Sequence, residues 1–503
     1  MVARAVFTPD PNEVIGTAER RLFGSFVEHI GRCVYGGIYD PENPFSDKEG
    51  FRSDVVEMVK ELGVSVVRYP GGNFVSGYRW EDGVGPLEER PVRLDLAWRS
   101  VESNAFGLGE FMKWSKRVGV EPMIALNLGT RGIQEALDLL EYCNHPGGTR
   151  LSDLRKSHGH KEPFRIRTWC LGNELDGPWQ IGHKNASEYG RLAAETARAM
   201  RMFDPALELV ACGSSGSGMP TFGSWERTVL DHAFEEVDLI SAHSYFEEIE
   251  GDRFSFLSSA VDLSRTIEKM ISIADQAAAA KRSTKKLGIS FDEWNVWYLS
   301  RYLEANHSAE WRSTPRLCED EFTVVDGVVV GSLLMALLRH CDRVRIACLA
   351  QLVNAIAPIH CEPDSHAWRQ TTFFPFSLTA RHAVGCVLAA TPVSPVKESK
   401  LYGEVPMIDA LATHDPERRT LAVFVVNRSS ERGSFTLNLG GFRGFGVIEV
   451  KSLFDEDSEA TNSNSDPNRV MPRTLNRRGG DQGIEVDLPP VSWTMIRLAG
   501  RIR

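Results

Sequence analysis

No apolar stretch of the chain is long enough to cross a bilayer. The longest run, VVVGSLLMALL (Val328 to Leu338), reads instead as a buried helix. The opening segment, MVARAVFTPDPNEV, has no apolar h-region and no small-residue cleavage site. A cytoplasmic location with no membrane partner is therefore the expectation. Basic residues are not in excess: 57 Lys and Arg stand against 68 Asp and Glu, a net charge of −11. That balance supplies no surplus to neutralise phosphates and argues against a nucleic-acid partner. The nine cysteines are scattered and none forms a CxxC pair, the pattern of free thiols in a reducing compartment. No GxGxxG follows the first strand, which weighs against dinucleotide binding. No HExxH or other ligand spacing points to a metal site. No repeat of 20 to 50 residues is present.

What remains is the composition of an ordinary globular protein, 42% hydrophobic and 25% charged, in a chain of 503 residues that exceeds one domain. From about Arg21 to Gln351 short apolar runs alternate with amphipathic stretches. SDVVEMVKELGVSVVRYPGG shows the unit. Ser53 or Asp54 caps a helix with Val55, Met58, Val59 and Leu62 on one face, Gly63 stops it, and VSVVRY follows as a β-branched strand. Eight such strands are expected: LFGSFVEH, VSVVRY, VEPMIALNLG, RTWCLGNE, LELVACGSSG, VDLISAHSY, LGISFDEWN and VRIACLAQLVN. Continuous apolar strands separated by helices are parallel and buried on both faces, which favours a (β/α)8 TIM barrel within the α/β class. After about Phe374 the runs become short and alternating (TLAVFVVNRS, SFTLNL, GVIEVKSL, QGIEVDL, SWTMIRL), the pattern of an antiparallel, jelly-roll-like β-sandwich. The expected division is an N-terminal strand in residues 1–17 that joins the sandwich, a barrel over 18–374, and the sandwich over 375–503.

In a TIM barrel the chemistry sits at the C-terminal ends of the strands. Polar residues collect there: Glu28, Arg68 and then Asn73, Asn127, Asn173 and Glu174, His243 and Tyr245, Glu293, Gln351 and Asn354. Glu174 and Glu293 stand out, since each ends an apolar strand, the fourth and the seventh. Two carboxylates across a barrel mouth are what glycoside hydrolysis requires, one protonated to assist the leaving oxygen and one ionised to attack or to activate water. Plainer readings exist for each. A strand-end Glu can be an N-cap or a salt-bridge partner, and His243 can be a core histidine. Trp80, Trp98, Trp179, Trp294 and Trp297 can be plain core rather than sugar platforms. His29 with Glu28 and His243 could ligate a metal, although no spacing supports it. Strand alternation places Asp292 on the face opposite Glu293.

Taken together, FGSFVEHIGRCVYGGIYDP, VVRYPGGNFVSGYRWEDGVGP, WCLGNELDGPWQIGHK, ISAHSYF, ISFDEWNVWY and LAQLVNAIAPI resemble the α-L-arabinofuranosidases of glycoside hydrolase family 51. The resemblance implies a retaining exo-enzyme that needs no cofactor and no metal. It implies Glu174 as general acid/base and Glu293 as nucleophile. It further implies Glu28, Asn73 and Asn173 on the hydroxyls of the bound arabinofuranose. Arg68 and Tyr245 would hold the nucleophile, His243 would support the site, Gln351 would close its floor, and Trp98 and Trp297 would shape its rim. The implied substrates are arabino- and arabinoxylo-oligosaccharides, and the implied assembly is a homo-oligomer, often a hexamer. Two alternatives remain open on the residues alone: a glycosidase of the same architecture with endoglucanase or β-xylosidase specificity, and a non-catalytic carbohydrate-binding barrel.

Overall fold

The computed structural model describes residues 3–249, 251–305, 310–480 and 483–500. Eight parallel strands close a barrel in chain order: β1 Gly24–Phe26, β2 Val66–Tyr69, β3 Glu121–Ala125, β4 Thr168–Cys170, β5 Glu208–Ala211, β6 Leu239–Phe246, β7 Gly288–Val296 and β8 Val344–Leu349. The ring closes where Cys348 and Leu349 of β8 pair with Gly24 and Ser25 of β1. Side chains of alternating strand positions fill the interior, among them Val66, Met123, Ala125, Cys170, Val210, Leu239, Ile346 and Cys348. The barrel is thus a packed core, and only its mouth is available to a ligand.

A helix follows each strand: α1 Ser53–Leu62, α2 Leu108–Val118, α3 Ile133–Asn144, α4 Ala186–Phe203, α5 Ser224–Ala233, α6 Ala260–Ala280, α7 Val324–Arg339 and α8 Phe373–His382. Helix α1 buries Val55, Val56, Val59 and Leu62 and stops at Gly63, whose φ of 83° is the left-handed conformation a C-terminal glycine supplies. Its N-cap is Arg52 rather than Ser53 or Asp54. The Asp54 carboxylate is occupied by the Arg52 guanidinium, at 3.0 and 2.7 Å.

Two antiparallel-rich sheets form the C-terminal unit. One has seven strands and includes Ile408–Asp415, Thr420–Asn427, Ser492–Gly500 and Phe445–Leu453. The other has four and includes Gly433–Asn438 and Gly483–Leu488. Both receive the N-terminus: Ala3–Phe7 runs parallel to Gly433–Asn438, and Val14–Thr17 pairs with Cys386–Leu388. Their inner faces share one apolar core of residues such as Phe7, Ala410, Val423, Phe435, Val486 and Ile496. Residues 374 and 375 lie inside α8, which packs on α1 and α7, and the first sandwich strand after it is Cys386–Leu388.

Helix α7, the apolar run noted in the sequence, is buried from Val324 through Leu338. It is apolar on every side because the barrel lies on one side and the sandwich on the other. At the contact, a Cβ on Gly331 would stand 2.2 Å from Trp493 Cδ1 of the sandwich. A partly buried ion cluster pins the same junction: Asp409 accepts from Arg339 of α7 and from Arg428, which also donates to Leu257 O. Gly331→Ala should therefore destabilise the protein by about 1–3 kcal/mol through overpacking, which outweighs the ~1 kcal/mol helix-propensity gain of alanine. Calorimetry should show a lower unfolding temperature; an unchanged or higher one would contradict this packing.

Candidate active site

The strand ends bring Glu174 and Glu293 to one place. Oxygens of the two carboxylates and a ring nitrogen of His243 all lie within 4.8 Å of one another. Glu174 follows Gly172 and Asn173 just beyond β4, with φ of 43°. That left-handed backbone is costly for a glutamate, by about 1–3 kcal/mol, and such strain concentrates at functional sites. Glu293 reaches the same place by a different device. Opposite β6, Ser241 pairs with Ser290 and His243 with Glu293, so two steps on β6 face three on β7. Opposite β8, Phe291 pairs with Ala347 and Trp294 with Leu349. The extra residue is a β-bulge that turns both Asp292 and Glu293 inward. The expectation that Asp292 faces away from Glu293 is thereby corrected, since strict alternation fails at a bulge.

The two glutamates have different partners. Glu293 Oε1 accepts from Arg68 Nη1 at 2.7 Å and its Oε2 from the Tyr245 hydroxyl at 2.8 Å. Arg68 is 1% exposed, lies over the Phe26 ring, and also donates to Asn173 Oδ1 at 2.6 Å. Arg68 and Tyr245 thus fix both oxygens of Glu293. Glu174 instead contacts His243 Nδ1 through Oε1 at 2.8 Å and the Trp179 indole N–H through Oε2 at 3.1 Å. Burial raises its proton affinity above the ordinary carboxylate range and the Glu293 charge adds to this, against the opposing hydrogen bond from His243. Both nitrogens of His243 face carboxylates, Nε2 lying 2.8 Å from Asp292 Oδ1. Burial alone would discharge the ring, but the charge of Glu293 and the bonds to Asp292 and Glu174 push it up to about 10. The His243 ring thus bridges Glu174 and Asp292.

Glu28 lies on the other side of Glu293. It accepts from Phe74 N at 2.9 Å, Trp98 Nε1 at 2.8 Å and Gln351 Nε2 at 2.9 Å. Gly71 and Gly72 are needed here, because a Cβ on Gly72 would stand 3.2 Å from both Glu28 Oε2 and Glu293 Oε1. Burial pushes the Glu28 carboxyl up to about 7 from 4.5, the Glu293 charge adding to the rise and the three donors opposing it. A carboxyl raised in the fold binds its proton more tightly folded than unfolded. Stability is therefore lost as pH rises from 4.5 to about 7, on the order of 3 kcal/mol. Relative to the wild type, Glu28→Gln should gain stability between pH 5 and 8 in urea unfolding while losing sugar affinity. Parallel stability–pH curves for the two proteins would contradict this assignment.

Residues 58–255 match the family model described as α-L-arabinofuranosidase 1 domain, and residues 292–492 the one described as α-L-arabinofuranosidase C-terminal domain. An intracellular exo-α-(1→5)-L-arabinofuranosidase from Streptomyces lividans is 54% identical over 98% of this chain and 75% of its own length. An exo-α-(1→6)-L-arabinofuranosidase from Bifidobacterium longum is 52% identical over 95% of this chain and 94% of its own. The solved structure of a family 51 α-L-arabinofuranosidase from Bifidobacterium longum superposes with a TM-score of 0.95 at 46% identity, covering 98% of this chain and 99% of that one. The chain belongs to the family 51 α-L-arabinofuranosidases. It is accordingly a glycoside hydrolase on a (β/α)8 barrel with a C-terminal β-sandwich.

In this family 51 member Arg68, Asn173, Tyr245 and Glu293 form one hydrogen-bonded group, with the pairs Glu174–His243 and Glu28–Gln351 on either side of Glu293. Trp98 joins the second pair through Glu28. Trp297 meets Tyr245 edge-on at 5.1 Å, and Tyr302 touches both Trp297 and Trp98. Asn73 opens the turn Asn73–Gly77, next to the Phe74 amide that holds Glu28, and is half-buried. Other strand-end polar residues serve the loops: Asn127 donates to Tyr78 O and Asn354 to Arg32 O. His29 belongs to a separate cluster, 2.8 Å from Glu102 and 3.0 Å from the Tyr69 hydroxyl, and so is no partner of His243. Two residues join the site beyond those expected there: Asp292, expected on the opposite face, and Trp179, weighed as plain core or a sugar platform. The bulge hides the first from any period-2 pattern. The second sits 51% exposed in a loop, five residues after the acid it contacts.

Proposed function

We propose that this enzyme releases terminal α-L-arabinofuranose from arabino- and arabinoxylo-oligosaccharides with retention of configuration, with Glu174 as acid/base and Glu293 as nucleophile. The observation that carries the assignment is the carboxylate pair within 4.8 Å, with Glu293 held by Arg68 and Tyr245 and Glu174 by His243 and Trp179. Retaining glycosidases place the pair about 5–5.5 Å apart, and inverting ones leave room for a water at about 6.5–9.5 Å. In the first step an oxygen of Glu293 attacks C1 as the C1–O glycosidic bond breaks, and the Glu174 proton passes to the departing oxygen. In the second, Glu174 takes a proton from water, the hydroxyl attacks C1, and the ester bond breaks to return the Glu293 carboxylate. Side chains and water supply every proton and electron pair.

Glu28, Asn73, Asn173 and Gln351 bind the sugar hydroxyls in this reading. The Asn173 amide nitrogen supports it, being buried with no partner among the described residues. Trp179 offers a half-exposed indole beside the acid, where the leaving sugar must lie. Trp98 and Trp297 close the rim. Relatives named for the (1→5) bond, at 46–54% identity, support arabino-oligosaccharides of that linkage as substrate, with (1→6) as the second candidate from the relative named for it. Their names also support an intracellular setting, and among the described residues no helix is long and apolar enough to cross a membrane. Such a setting favours imported oligomers over polymer. We also propose a homo-oligomer, with the exposed Val92, Leu94 and Leu96 as one apolar contact; light scattering at monomer mass would refute it.

The test is release of arabinose from aryl α-L-arabinofuranoside and from (1→5)- and (1→6)-linked arabino-oligosaccharides, with aryl β-D-glucoside and β-D-xyloside as controls. Turnover of the arabinosides and not the controls is expected. Binding without turnover would favour a carbohydrate-binding barrel, and turnover of the controls an enzyme of other specificity.

A further inference from the structure

Asp292 has no part in the two-carboxylate mechanism, yet it is fully buried at the centre of the site. Its Oδ1 faces His243 Nε2 at 2.8 Å. Its Oδ2 accepts from Ser290 Oγ at 3.0 Å and lies 4.0 Å from Arg68 Nε. The other face of the same imidazole meets Glu174 at 2.8 Å, and Glu293 Oε2 lies 3.8 Å from Nδ1. The chain therefore links Asp292, His243 and Glu174 in a line, with the nucleophile beside it. The β7 bulge is what allows adjacent residues, 292 and 293, to meet the imidazole from two directions. We propose that Asp292 is a positioning residue that keeps His243 a charged, doubly donating bridge to Glu174, and so sets when Glu174 gives its proton and when it takes one.

Four charged groups surround the acid. Arg68 and His243 carry positive charge, and Asp292 and Glu293 carry negative charge. A neutral, protonated Glu174 leaves this buried set balanced, with the uncharged Tyr245 hydroxyl on Glu293 and Asp176 further out beyond β4. The first chemical step turns Glu293 into an ester and removes one negative charge. The set then carries one net positive charge, and loss of the Glu174 proton restores the balance. The cation thus favours the acid before the bond breaks and the base afterwards. Without Asp292, a buried imidazole loses the carboxylate behind it and is more readily neutral. Glu174 then keeps its proton in the glycosyl-enzyme, where it must act as base.

This inference rests on the proposed roles of Glu174 and Glu293, and the experiment separates the two. Asp292→Asn keeps the size and an acceptor oxygen but removes the charge. The pH dependence of kcat is measured on an activated aryl arabinofuranoside, limited by the second step, and on an arabino-oligosaccharide, limited by the first. The expected result is that the acid limb with the aryl substrate and the alkaline limb with the oligosaccharide both move to higher pH by about one unit. Turnover of the aryl substrate in the acid range then falls about tenfold, with KM little changed. Equal loss at every pH with unmoved limbs, or full activity, would overturn the proposal. Glu174→Gln is the control: if it leaves both limbs as in the wild type, the assigned role of Glu174 fails and the proposal with it. Neutron diffraction of the wild-type enzyme at neutral pH decides the matter even if Asp292→Asn does not fold. Deuterons on both ring nitrogens of His243 are expected, and a bare Nε2 or Nδ1 would overturn the proposal.

Discussion

Glu293→Ala should lower turnover of every arabinofuranoside by about 10⁴-fold or more, with the fold intact. No other carboxylate can take its place. Glu28 is tied to Trp98, Gln351 and the Phe74 amide, and Asp292 lies behind His243. The vacated space beside Arg68 and Tyr245 can admit a small anion, so added azide should restore some activity by attacking C1 directly. The product is then the β-L-arabinofuranosyl azide, of inverted configuration. A variant with substantial unaided activity would remove Glu293 from the mechanism.

Glu174→Ala should depend on the leaving group. On arabino-oligosaccharides, whose departing alkoxide needs a proton, kcat/KM should fall by about 10²–10⁴-fold. An activated aryl leaving group needs little protonation, so formation of the glycosyl-enzyme should proceed and its hydrolysis should become slow. A burst of aryl alcohol should precede a low steady rate. Azide should accelerate that second step and give the α-L-arabinofuranosyl azide, opposite in configuration to the Glu293→Ala product. Equal losses on both substrates, with no burst, would take the acid/base role away from Glu174.

The eight barrel strands were legible because strands buried on both faces must be continuously apolar, and each ended in a recognisable turn. VSVVRYPGG and RTWCLGNE show it directly, one as β2 and the other as β4 with the glutamate just past its end. The sandwich was legible for the converse reason: GIEVDL alternates because one face packs and the other meets solvent, as Gly483–Leu488 does. What the sequence hid follows from geometry that period-2 reasoning omits. The bulge in β7 breaks alternation and delivers Asp292 to the site. Trp179 reaches Glu174 from a loop with no periodicity at all. Asn127 and Asn354 sat at strand ends as the binding residues do, yet backbone atoms of neighbouring loops claim them. A strand-end position thus identifies candidates, and the hydrogen-bond partners decide among them. Helix α8 was cut by the expected division at 374/375 because its apolar residues, Phe373, Phe374 and Phe376, give no signal that separates barrel from sandwich.

The proposed mechanism makes two sequential displacements at one carbon, and the configuration of the product reports that count. Hydrolysis of an aryl α-L-arabinofuranoside in aqueous methanol, followed by proton NMR, traps the product as a glycoside that cannot mutarotate. A carboxylate pair within 4.8 Å predicts methyl α-L-arabinofuranoside, with configuration retained. The β anomer would mean a single displacement by the acceptor itself, and would contradict the nucleophilic role of Glu293.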